Sequence, residues 1–477
     1  MHTAAVPDPA DAFRTLDLPD ARLYRRLDII MAGLTAHPAH SFPNALGKTA
    51  GAEGLYRFLA HPAVTYEGLL EAQRDATRAA VAGNGVTLLL HDTSLFQFSA
   101  TEVRPGTCRT SNGKSGFYGH VCLAVSGDGK RVPIGLMDLI PVVRVAEGEA
   151  AVAPAVAYEN ESERWLDLVR RVQQKRPAGA TYVHVMDSEA DHYDLFYAVI
   201  DAGGHFVIRL SADRKVADPK RGRRGPDDPP RVHRVSDVLE NAEVRLLRSV
   251  RLSARVNTGA PKVSKRNLPR DERDAQLVVR VAPAEIKRPW GSAAKPPRCA
   301  VNIVEVMEVN PPEGEVPVSW RLVTTLPVDT PEQVAAVVDA YRARWLIEEW
   351  FKAMKTGCAY EDRQLESIDT LLKAFVLLAP VATRLLTLRW LAHNETDCPA
   401  TVVLSVDEIR FLRVIERSRK RDLPPKPTVY DVMLAIAKMG GFLTSNKVPG
   451  WRVLGRGFEE FSLMYEGYLI AREGGEM

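Results

Sequence analysis

Two aspartates and one helix face carry the residue types that could do chemistry in this chain. Asp92 closely follows Val86-Thr87-Leu88-Leu89-Leu90, and Asp187 directly follows Thr181-Tyr182-Val183-His184-Val185-Met186. Both runs have the composition of buried strands. Ligand sites in open α/β sheets lie beyond the carboxyl ends of strands. Two neighbouring strands ending in Asp would therefore bring hard oxygen donors to one edge, a set suited to Mg²⁺ or Mn²⁺. Farther on, Tyr341, Arg344, Glu348 and Lys355 stand at i, i+3, i+7 and i+14, on or near one face of a helix. Glu348 can ligate a metal, Arg344 offers a fork matched to phosphate, and Lys355 offers a point charge. Each feature also has a plainer reading. An Asp after a strand can simply cap a turn, as Asp187-Ser188-Glu189 could, and a face of mixed charge is commonly a solvated salt-bridge network.

The elements that must position these residues follow from periodicity. Up to about Asn84 the pattern is helical, with Leu27, Ile30, Met31 and Leu34 at helical spacing. From Val86 it becomes α/β: a strand ending at His91-Asp92-Thr93-Ser94, a Gly-rich turn over Gly113 to Gly119, and strands at Val121 to Val125 and Ile134 to Leu136. A crossover helix over Glu161 to Gln174 and the strand before Asp187 come next. The stretch from Asp213 to Pro297 is dense in Arg, Lys and Pro (Arg221, Arg223, Arg224, Arg245, Arg248, Arg251, Lys262, Lys265 and Arg266 among them). With the runs at Gln276 to Val281 and Val301 to Val306, it reads as a β-rich insertion with long loops. Thr330-Pro331-Glu332-Gln333 has the form of a helix start, with a capping Thr, Pro at the first turn and Gln three residues on. One long helix is expected from there to Gly357. The remainder is helical, broken by a basic, Pro-rich linker at Arg417 to Pro427.

The segment Tyr341 to Gly357 resembles the signature helix of bacterial insertion-sequence transposases with an Asp-Asp-Glu site, in the subgroup with the pattern Tyr-x2-Arg-x3-Glu-x6-Lys. Leu55-Tyr56-Arg57-Phe58-Leu59, Leu90-His91-Asp92-Thr93, Met186-Asp187-Ser188-Glu189-Ala190-Asp191 and Phe206-Val207-Ile208-Arg209 are similar to the family's segments, in order. So are Asn310 through Trp320 and Met439-Gly440-Gly441-Phe442. The resemblance implies an α/β, RNase H-like catalytic core with a β-rich insertion, flanked by helical domains. The expected layout is an N-terminal DNA-end-binding domain over 1–84, a catalytic domain over 85–372 with the insertion at about 213–325, and a C-terminal dimerisation region over 373–477. It further implies that Asp92, Asp187 and Glu348 are catalytic and hold two Mg²⁺ (or Mn²⁺) ions per site. Tyr341, Arg344 and Lys355 would contact the DNA backbone, and Trp320 would stack a flipped base. Arg209, Lys352 and Trp345 are further expected DNA contacts. The segment around Arg221 to Arg234 and the first twenty residues depart from the family pattern. So does Leu139-Ile140-Pro141-Val142, where relatives carry a Trp-rich stretch.

The implied activity is cut-and-paste transposition: metal-dependent hydrolysis at transposon ends, then 3′-OH strand transfer through a hairpin intermediate. Its partners would be double-stranded DNA (terminal inverted repeats and target) and a second copy in the synaptic complex, with no membrane. A catalytically silent DNA-binding repressor and a metal-dependent nuclease without strand transfer are the alternatives. A glycosidase with paired carboxylates leaves the Arg/Lys helix face unexplained. Composition sets the remaining bounds. Lys and Arg total 63 against 60 acids, so net charge names no partner. Five cysteines without Cys-x2-Cys spacing fit a reduced, cytoplasmic chain without structural zinc. Met1 to Ala21 lacks the apolar core of a secretory signal. Lys373, Arg384 and Arg389 interrupt the most apolar stretch, Leu371 to Leu391, which favours a buried helix over a membrane span.

Overall fold

The computed structural model describes residues 6–47, 49–83, 85–99, 102–146, 148–217, 233–240, 242–252, 254, 270–395, 397–443 and 449–474. Arg221, Arg223, Arg224, Lys262, Lys265 and Arg266 of the basic segment lie outside them. The chain opens with four helices, α1 (Ala21–Ala36), α2 (Phe42–Ala45), α3 (Thr49–Ala60) and α4 (Tyr66–Val81). The first α/β stretch runs β1 (Val86–Phe98), β2 (Cys108–Arg109), β3 (Ser115–Ser126), β4 (Pro133–Val142), α5 (Glu163–Gln174), β5 (Thr181–Met186), α6 (Tyr193–Asp201) and β6 (His205–Arg209). After it come α7 (Val235–Glu240), β7 (Val244–Leu252), β8 (Arg273–Lys287), β9 (Arg298–Val309) and β10 (Ser319–Thr324). The rest is helical: α8 (Pro331–Ala343), α9 (Trp345–Lys352), α10 (Ile368–Asn394), α11 (Val406–Ser418), α12 (Val429–Met439) and α13 (Trp451–Gly474).

The strands form one ten-stranded sheet in the order β2-β3-β1-β5-β6-β10-β9-β8-β7, with β4 also paired to β3. β1 is antiparallel to β3 and parallel to β5, and β5 is parallel to β6. The run β4-β3-β1-β5-β6, three antiparallel strands followed by two parallel ones, fits an RNase H-like core. Its sides follow from alternation along β1. Leu88, Leu90, Phe96 and Phe98 join the core shared with α4, α8, α9 and α10, while Leu89 packs with Leu168 and Val172 of α5 on the other face.

Three expectations change. β1 does not end at Asp92: its ladder with β3 runs to Phe98, while its pairing with β5 stops at Leu90 opposite Val185. Asp92 is thus inside a strand, at the point where one side of that strand becomes free. Gly116 and Gly119 lie in β3 rather than in a turn. Each sits where a Cβ would run into Phe96, into its carbonyl oxygen for Gly116 and its ring for Gly119, so close strand packing explains the glycines. The insertion continues the core sheet, because β10 pairs antiparallel with β6. Its basic residues are answered locally, Arg251 by Glu272 and Asp274, Arg248 by Asp339 and Arg245 by Glu243. Finally, the long helix is interrupted. The expected capping box of Thr330 and Gln333 starts α8, but tight bonds from Arg344 N to Tyr341 O (3.1 Å) and Ile347 N to Arg344 O (3.1 Å) divide it from α9. A π-helical turn, Ala353–Gly357, then closes it, with Cys358 N bonded to Ala353 O at 2.8 Å.

α10 is the one helix among the described residues long and apolar enough to cross a membrane, yet 83% of its most apolar window is buried in the fold. It is the central core helix. Trp350 of α9 is fully buried and donates to Thr383 of α10 at 3.0 Å, which fixes the helix that carries Glu348.

α4 is locked to the sheet through a buried charge network. Arg74 donates to Asp138 of β4 (Nε–Oδ1 3.0 Å) and also reaches Glu67 and Glu71. Tyr66 and Thr77 donate to the β4 carbonyls of Leu139 and Leu136. Asp138 is 2% exposed, so Arg74→Ala leaves a buried carboxylate without its cation. Denaturant unfolding of this variant will show a loss of about 3–5 kcal/mol; a loss below about 1 kcal/mol would mean that the network does not hold α4 in place.

Candidate active site

Asp92 shares the β1 face of Leu88, Leu90 and Phe96 and so points toward α8–α9. Arg344, at the joint between those helices, donates to Asp92 Oδ2 (3.0 Å) and to Glu348 Oε1 (2.7 Å). Its charge survives burial because both carboxylates favour it. Asp187 follows β5 and caps the short 3₁₀ turn Ser188–Ala190, accepting from Glu189 N at 2.9 Å. The plain capping reading of this residue is therefore true, and it does not exclude a further role.

The electrostatics show that the three acids converge. Burial raises the Asp92 pKa from its ordinary 3.8 to about 6; Arg344 and the Thr93 N–H oppose the shift, and the charges of Asp187 and Glu348 add to it. Among the described residues no set of three His, Cys, Asp or Glu side chains is closed tightly enough to hold an ion as it stands, and Arg344 stands between two of these acids. In chemistry the donors would suit a hard divalent cation, two aspartates from β1 and the end of β5 and a glutamate from α9. Asp92, Asp187 and Glu348 are the residues that would hold it.

The other expected residues fall into three groups. Tyr341, Trp320 and Arg209 form one corner beside the acids. The Trp320 and Tyr341 rings meet edge to face at 5.4 Å, and β10 is paired to β6 beside them, with Leu322 opposite Arg209. Burial raises the Tyr341 pKa, with Arg209 and Arg344 opposing and Asp187 adding to the shift. Trp345 is 53% exposed on α9 with the Lys352 ammonium 5.4 Å from its ring, and Lys352 pairs with Glu349. Lys355, in the π turn, also faces β1. Its ammonium donates to Leu95 O (2.6 Å), lies 4.9 Å from the Phe96 ring, and loses basicity chiefly through burial.

Sequence reasoning passed over Thr93, Arg164, His120 and Glu189, which surround the two aspartates. The available signal was Arg164 itself, a charge beside Trp165 on the buried side of α5 with Leu168, Val169 and Val172. It also passed over Glu349, which accepts from Trp451 (3.1 Å) and pairs with Arg389 (3.3 Å) and so ties the residue after Glu348 to α13 and α10.

Asp92 and Glu348 meet at Arg344, with the Trp320–Tyr341 corner beside them. Residues 150–383 match the model of the transposase DDE domain, and residues 10–64 match that of the transposase DNA-binding domain. The first match spans Asp187, Arg209, Trp320, Tyr341, Arg344, Glu348 and Lys355; Asp92 lies outside it and is joined to the site by geometry. The chain thus contains one segment similar to a transposase DNA-binding domain and a later one similar to a transposase DDE domain, which together support a DNA transposase.

The raised Asp92 pKa has a measurable consequence. Below about pH 4 Asp92 is neutral in both folded and unfolded chains. As pH climbs to about 6 the unfolded chain loses its proton first, and stability falls. The interval between 3.8 and about 6 corresponds to about 3 kcal/mol. Asp92→Asn will therefore gain stability relative to the wild type as pH rises from about 4 to about 6, by up to about 3 kcal/mol in metal-free urea unfolding, and keep that difference above it. A difference that does not change with pH would contradict the buried, crowded carboxylate.

Proposed function

We propose that this chain is a cut-and-paste transposase that uses Asp92, Asp187 and Glu348 as one catalytic centre for hydrolysis at transposon ends and for strand transfer. The observation that carries the reading is that Arg344 bonds Asp92 and Glu348 together while the charge of Asp187, at the end of the neighbouring strand, acts on Asp92. Two divalent ions held by the three carboxylates would supply an activated water and stabilise the leaving 3′ oxygen. The protein's own groups do the rest. Arg344 is placed to exchange its carboxylate partners for the scissile phosphate, which its fork suits. Tyr341, Arg209, Lys352 and Lys355 hold the adjoining backbone, and Trp320, with Trp345, offers a π-face to an unstacked base.

In this reading the freed 3′-OH attacks the opposite strand to give a hairpin, which is hydrolysed before the 3′-OH joins target DNA. The N-terminal helices bind the end, and the C-terminal helices pair two copies. α13 supports that pairing by exposing Leu463 (52%), Met464 (40%), Tyr468 (41%) and Ile470 (71%), more apolar surface than a solvated helix needs.

The test is cleavage of DNA carrying the repeats that flank the coding region, with Mg²⁺ or Mn²⁺. Asp187→Asn will lower single-turnover cleavage by at least about 10³-fold with end binding unchanged on native gels. Wild-type protein will also yield strand-transfer products, which a simple nuclease would not. Near-normal cleavage by Asp187→Asn would refute the assignment.

A further inference from the structure

Behind the two aspartates, on the α5 side of the sheet, lies a second set of polar contacts. Asp92 Oδ1 accepts from the backbone N–H of Thr93 at 2.7 Å, and Asp187 Oδ1 accepts from the backbone N–H of Glu189 at 2.9 Å. Each aspartate is therefore oriented by a residue one or two positions further along the chain. One guanidinium holds the side chains of both orienting residues. Arg164 Nε donates to Thr93 Oγ1 (3.2 Å), and its Nη2 donates to Glu189 Oε2 (2.8 Å). Arg164 Nη1 donates to Glu161 O (2.6 Å), which fixes the guanidinium to the start of its own helix. The side chain is 9% exposed, so the fork is held in the fold and not waving in solvent.

The Thr93 hydroxyl completes the arrangement. Arg164 can only donate, so Thr93 Oγ1 accepts there, and the same oxygen is hydrogen-bonded to His120 Nδ1 at 2.9 Å. His120 is fully buried, and its ring meets Trp165 edge to face at 4.5 Å. Thr93 is thus held from two sides. β1 and β5 pair only as far as Leu90 and Val185, so the sheet's own ladder does not fix Asp92 and Asp187 to each other. Arg164 spans that gap.

We infer that Arg164 is the positioning residue of the catalytic centre, setting the spacing of the Asp92 and Asp187 carboxylates by gripping Thr93 and Glu189 together. It acts through Thr93 and Glu189, the residues its guanidinium holds. Outer groups that orient metal ligands typically change affinity or activity by about 10–100-fold when removed. The planar fork matters because it presents Nε and Nη2 to two differently placed acceptors in fixed directions, which a flexible ammonium matches less well.

This inference rests on the proposed metal site, and the experiment separates the two. Mn²⁺ binding by the full-length chain is followed through the EPR signal of free Mn²⁺, beside thermal unfolding, for wild type, Arg164→Met, Arg164→Lys and Glu189→Ala. Arg164→Met keeps the stem against Trp165 and will bind Mn²⁺ about 10–100-fold more weakly while end-DNA binding stays unchanged. Arg164→Lys will recover part of that loss. Glu189→Ala, whose side chain is 61% exposed and so folds without difficulty, will show a smaller loss in the same direction. Added to Arg164→Met it will produce little further change, because both act through one contact. Wild-type Mn²⁺ affinity in folded Arg164→Met and Glu189→Ala, whatever their melting temperatures, would overturn the positioning role. Absence of Mn²⁺ binding by the wild type would overturn the site reading itself, and this inference with it.

Discussion

Asp92 places a carboxylate inside the fold within electrostatic reach of two other acids, and Arg344 is the cation that meets it there. Like charges gathered in a poorly solvated place repel, and folding alone gives no reason to gather them. The surrounding structure is arranged around that repulsion. The helix tightens at Arg344 so that its guanidinium can reach both β1 and Glu348. α9 is fixed to α10 through Trp350, and Glu349 ties the same turn to α13. Such a cluster is worth its cost in stability when a cation of higher charge takes the arginine's place and a phosphate takes the arginine.

The topology explains why the acids come from such distant parts of the chain. β1 and β5 are neighbours in space, and the loss of their pairing beyond Leu90 opens one side of β1 at Asp92. α8 and α9 return across the same face after the insertion has added four strands to the far side of the sheet. The insertion therefore lengthens the sheet without disturbing the acid-bearing edge, and it places Trp320 on β10 beside Tyr341 of α8. Each part of the site rests on an element whose own packing is complete, which is what orienting groups to fractions of an ångström demands.

Much of this was legible in the residues. Apolar runs before Asp92 and Asp187 located two core strands, because strands buried on both faces need continuous apolar sequence. The capping residues Thr330 and Gln333 located the start of the signature helix. Other features were not legible. The length of β1 depends on a long-range ladder with β3, which no local pattern beyond Leu90 announces. The break at Arg344 and the π turn at Ala353–Gly357 are local changes of helical pitch, invisible to a spacing argument that assumes 3.6 residues per turn. Arg164 was passed over because an arginine in a first turn ordinarily points to solvent; its burial is a property of the assembled sheet.

The central claim is that Asp92, Asp187 and Glu348 share one metal centre from which Arg344 withdraws when the centre is loaded. Anomalous diffraction from crystals of the chain with end DNA and Mn²⁺ tests it directly. The account predicts manganese peaks within about 2.0–2.6 Å of carboxylate oxygens from all three residues, with Arg344 turned to a DNA phosphate. Peaks confined to other acids, or an Arg344 still bridging Asp92 and Glu348 beside bound manganese, would contradict it.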